Sequence, residues 1–115
     1  RIDAIVGHRR ETAAAIRAGA GAVGAWQEGA ELSTWQFMPV ALADSRRREA
    51  LAASWQGEVE TRVYYDPLHD LVPEYHAIGG LERTDDLFAR ILCLPMANDL
   101  SPAEAKTIAA GLARA

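Results

Sequence analysis

The sequence predicts an α/β (α+β) sandwich: a small sheet of about three strands with helices packed on it. Three observations lead there. Helical periodicity opens and closes the chain, two stretches alternate with period two, and glycine or proline signals separate these segments so that helices and strands take turns. A chain of 115 residues, 50% hydrophobic and 24% charged, has enough apolar material for one core and the composition of an ordinary globular domain.

From Ile2 to Ala18 the apolar residues Ile2, Ile5, Val6, Ala13 and Ile16 recur near helical spacing, with His8, Arg9, Arg10, Glu11 and Arg17 on the opposite side. Gly19, Gly21 and Gly24 then break the helix. In STWQFMPVAL, residues 33 to 42, Trp35, Phe37, Pro39 and Ala41 alternate with Gln36, Met38, Val40 and Leu42, the pattern of a strand covered on both faces. Pro39 has no N–H for the ladder, which predicts an edge strand or a bulge there.

Asp44 or Ser45 caps a helix running to about Trp55, with Leu51 and Trp55 four residues apart on its buried side and Gly57 as its stop. Residues 59 to 65 alternate Val59, Thr61, Val63 and Tyr65 with Glu60, Arg62 and Tyr64, predicting a strand whose adjacent tyrosines face opposite ways. Pro73 to Ile78 suits a short helical segment ending at Gly79-Gly80, Thr84 caps a helix through Arg90, and Ile91 to Leu94 is a short strand. The terminal helix, to about Leu112, is the best signalled: Ser101 as cap, Pro102 at its first position and Glu104 three residues after the cap.

Net charge of -4 argues against nucleic acid or an anionic membrane as partner, since both are bound through clustered positive charge. The one basic cluster, Arg46-Arg47-Arg48, reads as a solvated helix start. No apolar run is long enough for a membrane span and no signal-peptide pattern opens the chain, so the expected compartment is the cytoplasm. Cys93, the single cysteine, sits in the apolar run ILCLPM and reads as a small buried hydrophobe. The chain starts at Arg1 already in a helical pattern, as though continuing from a longer protein.

Signatures of self-contained chemistry are missing. His8, His69, His76 and Cys93 form no ligand pair at zinc spacing, and no metal is expected. Ser33, Ser45, Ser54 and Ser101 lie at turns or caps, outside any GxSxG elbow. GAGAVG follows a helix and precedes a strand, the reverse of a dinucleotide-binding order. Of the 12 basic residues only Lys106 is a lysine, and it lies in the terminal helix. What stands out is VYYDPLHDLVPEY, residues 63 to 75, with three tyrosines and a histidine at the end of a strand, where function gathers. On the residues alone, a domain that binds a partner through Trp26, Trp35 and Tyr64 remains an open alternative.

VETRVYYDPLHDLVPEY, followed by LFARILCLPMANDLSPAEAKTIAAGL, resembles the C-terminal small domain of the DegT/StrS family of pyridoxal-phosphate-dependent sugar aminotransferases. The matching positions are Tyr65, Pro67-Leu68-His69, Pro73, Tyr75, Leu94-Pro95-Met96 and Ser101 to Leu112; the interval from Tyr65 to His69 is a residue shorter than the family's. RIDAIVGHRRETAAAIR resembles the later part of the helix joining the family's two domains. The resemblance implies residues 1–18 as the end of an interdomain helix and 19–115 as the small domain of a fold-type-I aminotransferase, without the large cofactor-binding domain.

It further implies transfer of an amino group from an amino acid such as glutamate to a keto-sugar, often nucleotide-linked, or an aminocyclitol precursor, in a homodimer. A sugar dehydratase of the same family is the alternative. Pyridoxal phosphate would be held by the large domain, with no cofactor and no activity expected of these residues alone. Tyr64, Tyr65 and His69 become the substrate-binding residues, donating hydrogen bonds to hydroxyl or phosphate oxygens and stacking on a ring. With no large domain to cover it, the stripe of Ile2, Ile5, Val6 and Ile16 is expected to promote self-association.

Overall fold

In the computed structural model, which describes residues 1–115, three short strands form one antiparallel sheet in the order β1 (Ala25–Trp26), β2 (Met38–Ala41), β3 (Ile91–Leu94). Five helices surround it: α1 (Ile2–Ala20), α2 (Ser45–Ser54), the single turn α3 (Leu68–Leu71), α4 (Glu82–Arg90) and α5 (Pro102–Ala113). Helices on a small sheet are the predicted class, and no helix is long and apolar enough to cross a membrane.

One face of β2 and its extension enters the core. Met38, Val40 and Leu42 are essentially inaccessible, and Leu92 and Leu94 of β3 join them with Ile16 of α1 and Ile108 and Leu112 of α5. α1 and α5 pack closely because small residues meet: a Cβ on Gly19 would stand 2.8 Å from that of Ala109. Ile16 is therefore covered within the chain. Of the stripe expected to be orphaned, only Ile2 is fully open, at 72% exposure, while Ile5 and Val6 are half-buried.

Local signals hold where the chemistry is local. Asp44 caps α2, its carboxylate accepting the Arg47 N–H at 2.8 Å, and Leu51 and Trp55 are both buried. The box at the start of α5 closes in both directions: the Ser101 hydroxyl accepts the Glu104 N–H at 3.3 Å, and the Glu104 carboxylate accepts the Ser101 N–H at 2.8 Å. Cys93 is buried in β3. In the basic cluster, Arg48 is half-buried and donates to the Phe88 carbonyl at 3.0 Å, which ties α2 to the end of α4 instead of leaving the guanidinium in solvent.

Four expectations need correction. The strand predicted from residue 33 begins only at Met38, because Trp35 adopts φ 52° and its N–H turns back to the Ser33 hydroxyl, which ends regular alternation. The strand predicted over 59 to 65 reduces to one bridge, Arg62 to Cys93, so the third strand is β1 instead. β2 is central, not an edge. Pro39 is tolerated there for a reason visible in the hydrogen bonds: Cys93 directs both its N–H and its C=O to Arg62, so its cross-strand partner Pro39 faces the other way, past the end of β1. Finally, α4 starts at Glu82 without a side-chain cap, and Thr84 belongs to its first turn.

The segment from residue 63 to 87 stands apart from this core. Neither α3 nor α4 buries a residue fully, and seven of the ten exposed large apolar side chains fall in this segment. Its apolar content is turned outward.

Candidate functional site

Tyr64 and Tyr65 stand beside Phe37 in an aromatic cluster. The chain reaches it along the free side of β3, held at one point: the Arg62 N–H donates to the Cys93 carbonyl at 3.1 Å and the Cys93 N–H to the Arg62 carbonyl at 2.7 Å. Beyond that bridge no ladder imposes strand alternation. The two tyrosine rings therefore stack, with centroids 4.8 Å apart and planes 30° apart, instead of facing opposite sides. Phe37 meets Tyr64 at 5.1 Å and Tyr65 edge-on at 6.1 Å, within the range where aromatic pairs attract. Tyr65 is 68% exposed, so one ring of the cluster remains largely open to a ligand.

A cleft of ≈ 320 Å³ lies against this cluster, lined by Gln36, Phe37, Glu60, Arg62, Tyr64 and the run Cys93 to Met96. Glu60, Arg62 and Tyr64 share it, as expected from their common face in the sequence. Glu60 and Arg62 pair with each other and both are largely exposed. The cleft thus offers an aromatic wall, one cation already matched by a carboxylate, and the Gln36 amide. Such a surface suits a neutral ring bearing hydroxyls better than a strongly charged group. Burial pushes the Cys93 thiol up from its ordinary value, outweighing the opposing bond with the Tyr64 backbone, so the sulfur contributes shape and not a thiolate.

His69 is placed elsewhere. It lies on α3 with its side chain only 14% exposed, and Nε2 is 2.7 Å from a carboxylate oxygen of Asp85 on α4. Asp70 is further off, at 3.8 Å from the same nitrogen. Ligand atoms of His69, Asp70 and Asp85 lie within 4.8 Å of one another, but the short N–O separation is that of a direct hydrogen bond. The structure thus brings Tyr64 and Tyr65 together and gives His69 a partner of its own.

Gln36, Phe37, Met96 and Asp85 were not foreseen as site residues. Met96 carried a signal, since it closes the LPM run; Phe37 and Asp85 reach their partners only through the fold. A larger cleft, of ≈ 580 Å³, lies between α2 and α5 around Trp55 and Gly111, and none of the expected site residues lines it. The partner-binding surface considered above loses a member, because Trp35 is 3% exposed and belongs to the core. Trp26 is half-buried beneath the Arg17 guanidinium, 5.9 Å from the ring centre.

The model of the DegT/DnrJ/EryC1/StrS aminotransferase family matches residues 1–113. No curated protein matches the sequence. Among solved structures, the aminotransferase TlmJ from Streptoalloteichus hindustanus is similar over 95% of this chain and 31% of its own, with TM-score 0.78 and 28% identity. A DegT DnrJ EryC1 StrS aminotransferase from Brucella abortus is similar over 93% of this chain and 30% of its own, with TM-score 0.77 and 28% identity. The chain spans about a third of the length of these structures. With a family match running through nearly every residue, it belongs to the DegT/DnrJ/EryC1/StrS aminotransferase family.

Proposed function

We propose that these residues are the C-terminal small domain of a pyridoxal-phosphate-dependent sugar aminotransferase, which moves an amino group from an amino acid such as glutamate to a keto-sugar, commonly nucleotide-linked. The observation that carries this reading is the family match over residues 1–113 together with a coverage of only 31% of a matched aminotransferase. In this reading residues 1–18 end an interdomain helix, residues 19–115 form the small domain, and the working enzyme is a cytoplasmic homodimer. The outward apolar segment between residues 63 and 87 supports it, since a closing domain needs a face to set against the rest of its enzyme.

Pyridoxal phosphate supplies the electron sink for amino transfer when it is bound. The residues present here do not fit its covalent attachment: the only lysine, Lys106, lies exposed on α5 and does not line the cleft. The cofactor therefore belongs, in this proposal, to a part of the enzyme outside these residues, and no step of its chemistry is assigned to them. Their contribution is to bind and orient the sugar: Tyr64 and Tyr65 with Phe37 give a stacking wall, Arg62 and Gln36 give donors to hydroxyl oxygens, and His69 gives a fixed imidazole.

Titration of the chain with UDP-glucose, followed by backbone amide shifts, tests the binding surface. Shifts concentrated at Gln36, Phe37, Arg62, Tyr64, Tyr65 and Met96 are expected. A response centred on the Trp55–Gly111 cleft, or none, contradicts the assignment.

A further inference from the structure

Trp55 is 3% exposed and its indole N–H finds no acceptor in the chain, although Nε1 is not among the polar atoms sealed from solvent. An indole nitrogen can only donate, and a buried donor without a partner is costly. Its open edge lies at Gly111, where a Cβ would stand 2.2 Å from Nε1, and both residues line the cleft of ≈ 580 Å³ between α2 and α5. The bare glycine keeps the N–H within reach of that cleft.

Arg47 and Arg114 line the same cleft, and none of the five ion pairs in the chain includes either of them. Arg47 gives one N–H to the Ala115 carbonyl at 2.6 Å, which leaves most of the guanidinium's donors unspent. Ser54 adds no donor, since its hydroxyl proton goes to the Leu51 carbonyl at 2.7 Å. Glu58 is the one carboxylate of the lining, brought there by the turn in which its N–H donates to the Trp55 carbonyl at 2.9 Å. Two guanidinium groups against one acid leave this cleft net positive, in a chain whose net charge is -4.

We propose that the α2–α5 cleft is a binding site for a small organic monocarboxylate: the Trp55 N–H and the guanidinium groups of Arg47 and Arg114 hold its oxygens, and Leu51 and Ala50 take its hydrocarbon body. Guanidinium forks match the planar carboxylate. A single surplus positive charge balances a monoanion and falls short of a phosphate dianion, which also has no use for the apolar floor. The volume lies within the range of small-molecule sites. This site is separate from the aromatic cleft and does not depend on the sugar reading.

The test is a titration of the ¹⁵N-labelled chain with hexanoate at constant ionic strength and about pH 7, where arginine is charged and a carboxylic acid ionised. It is read from the indole N–H signals of the three tryptophans. The Trp55 signal should move downfield and saturate, as its proton goes to a charged acceptor, while those of Trp26 and Trp35 stay in place. Arg47→Gln and Arg114→Gln should each weaken binding about fivefold or more. Arg46→Gln, next in sequence but outside the lining, should leave it unchanged. Should Arg47→Gln loosen the chain end that it holds, Arg114→Gln decides, because its side chain bonds to nothing in the fold. Hexan-1-ol, which lacks the carboxylate, and inorganic phosphate should give no saturable shift. A Trp55 signal that hexanoate does not move, or binding undiminished in Arg114→Gln, overturns the site. A response to phosphate or hexan-1-ol equal to that to hexanoate overturns the choice of a carboxylate.

Discussion

The indole of Trp55 lies against the bare Cα of Gly111, so close that a Cβ at that position would stand 2.2 Å from Nε1. This contact locks the end of α2 to α5. Trp55 is 3% exposed and its ring is rigid, so neither partner can retreat.

Two alanine substitutions in helices should consequently move stability in opposite directions. An alanine is favoured over glycine in a helix interior by about 1 kcal/mol. Gly7, in α1, has nothing within 4 Å of an added Cβ, so Gly7→Ala should realise most of that gain. At Gly111 the same gain opposes an overpacking cost of about 1–3 kcal/mol or more, and Gly111→Ala should lose stability overall. Urea unfolding followed by tryptophan fluorescence measures both. A stabilised Gly111→Ala protein would show that the Trp55 contact is not tight.

The capping box of α5 should weaken in acid. Hydrogen bonds from the Ser101 hydroxyl and N–H hold the Glu104 carboxyl below the ordinary glutamate range. A carboxyl whose folded value lies below its unfolded value stabilises the fold above the unfolded value and stops doing so as pH falls through the folded one. The stability advantage of wild type over Glu104→Gln is therefore expected at pH 7 and should shrink progressively below about pH 5, where an unfolded glutamate begins to protonate. An advantage that is constant from neutral pH to acid would contradict the box.

Cys93 should behave as packing. Its thiol is buried and its ionisation disfavoured by that burial. A thiol reagent at about pH 8, where a free cysteine is substantially reactive, should label the native chain slowly and the urea-unfolded chain at once. Rapid stoichiometric labelling of the native chain would mean that the sheet around Cys93 opens readily.

What could be read in the sequence follows the range of the interactions. Asp44 and Arg47 are three residues apart, as are Ser101 and Glu104, and both caps appear as anticipated. The alternation from Val59 to Tyr65 was equally local but misled, because a strand also needs an edge to pair with. β3 is only four residues long and just Cys93 meets the incoming chain at Arg62. β1 escaped notice for the converse reason: two residues after a glycine loop have no period, and they pair because Gly24 lacks the Cβ that would stand 2.3 Å from the Ala41 carbonyl oxygen. At the site, the crowding of tyrosines was legible, while Phe37 at Tyr64 and Asp85 at His69 depend on tertiary approach. No spacing rule finds such pairs.

The aromatic wall should matter for substrate and little for the fold. Tyr65 is 68% exposed, so Tyr65→Ala removes stacking area without opening a cavity. Thermal unfolding within about 0.5 kcal/mol of wild type is expected for a surface substitution of this kind, and UDP-glucose binding should weaken about fivefold or more, as loss of a ring contact of roughly 1 kcal/mol implies. A strongly destabilised variant would instead place Tyr65 in the packing of the domain.

The central claim is that these residues serve a sugar aminotransferase, and the most direct measurement is made on the longer protein that the proposed function implies. Purified with pyridoxal phosphate and supplied with glutamate and a nucleotide-linked keto-hexose, it should release 2-oxoglutarate in step with amino-sugar formation. Tyr64→Ala and Tyr65→Ala in that protein should raise KM for the sugar while leaving KM for glutamate unchanged. Absence of 2-oxoglutarate release with keto-sugars, or variants whose sugar KM equals that of wild type, would contradict the account.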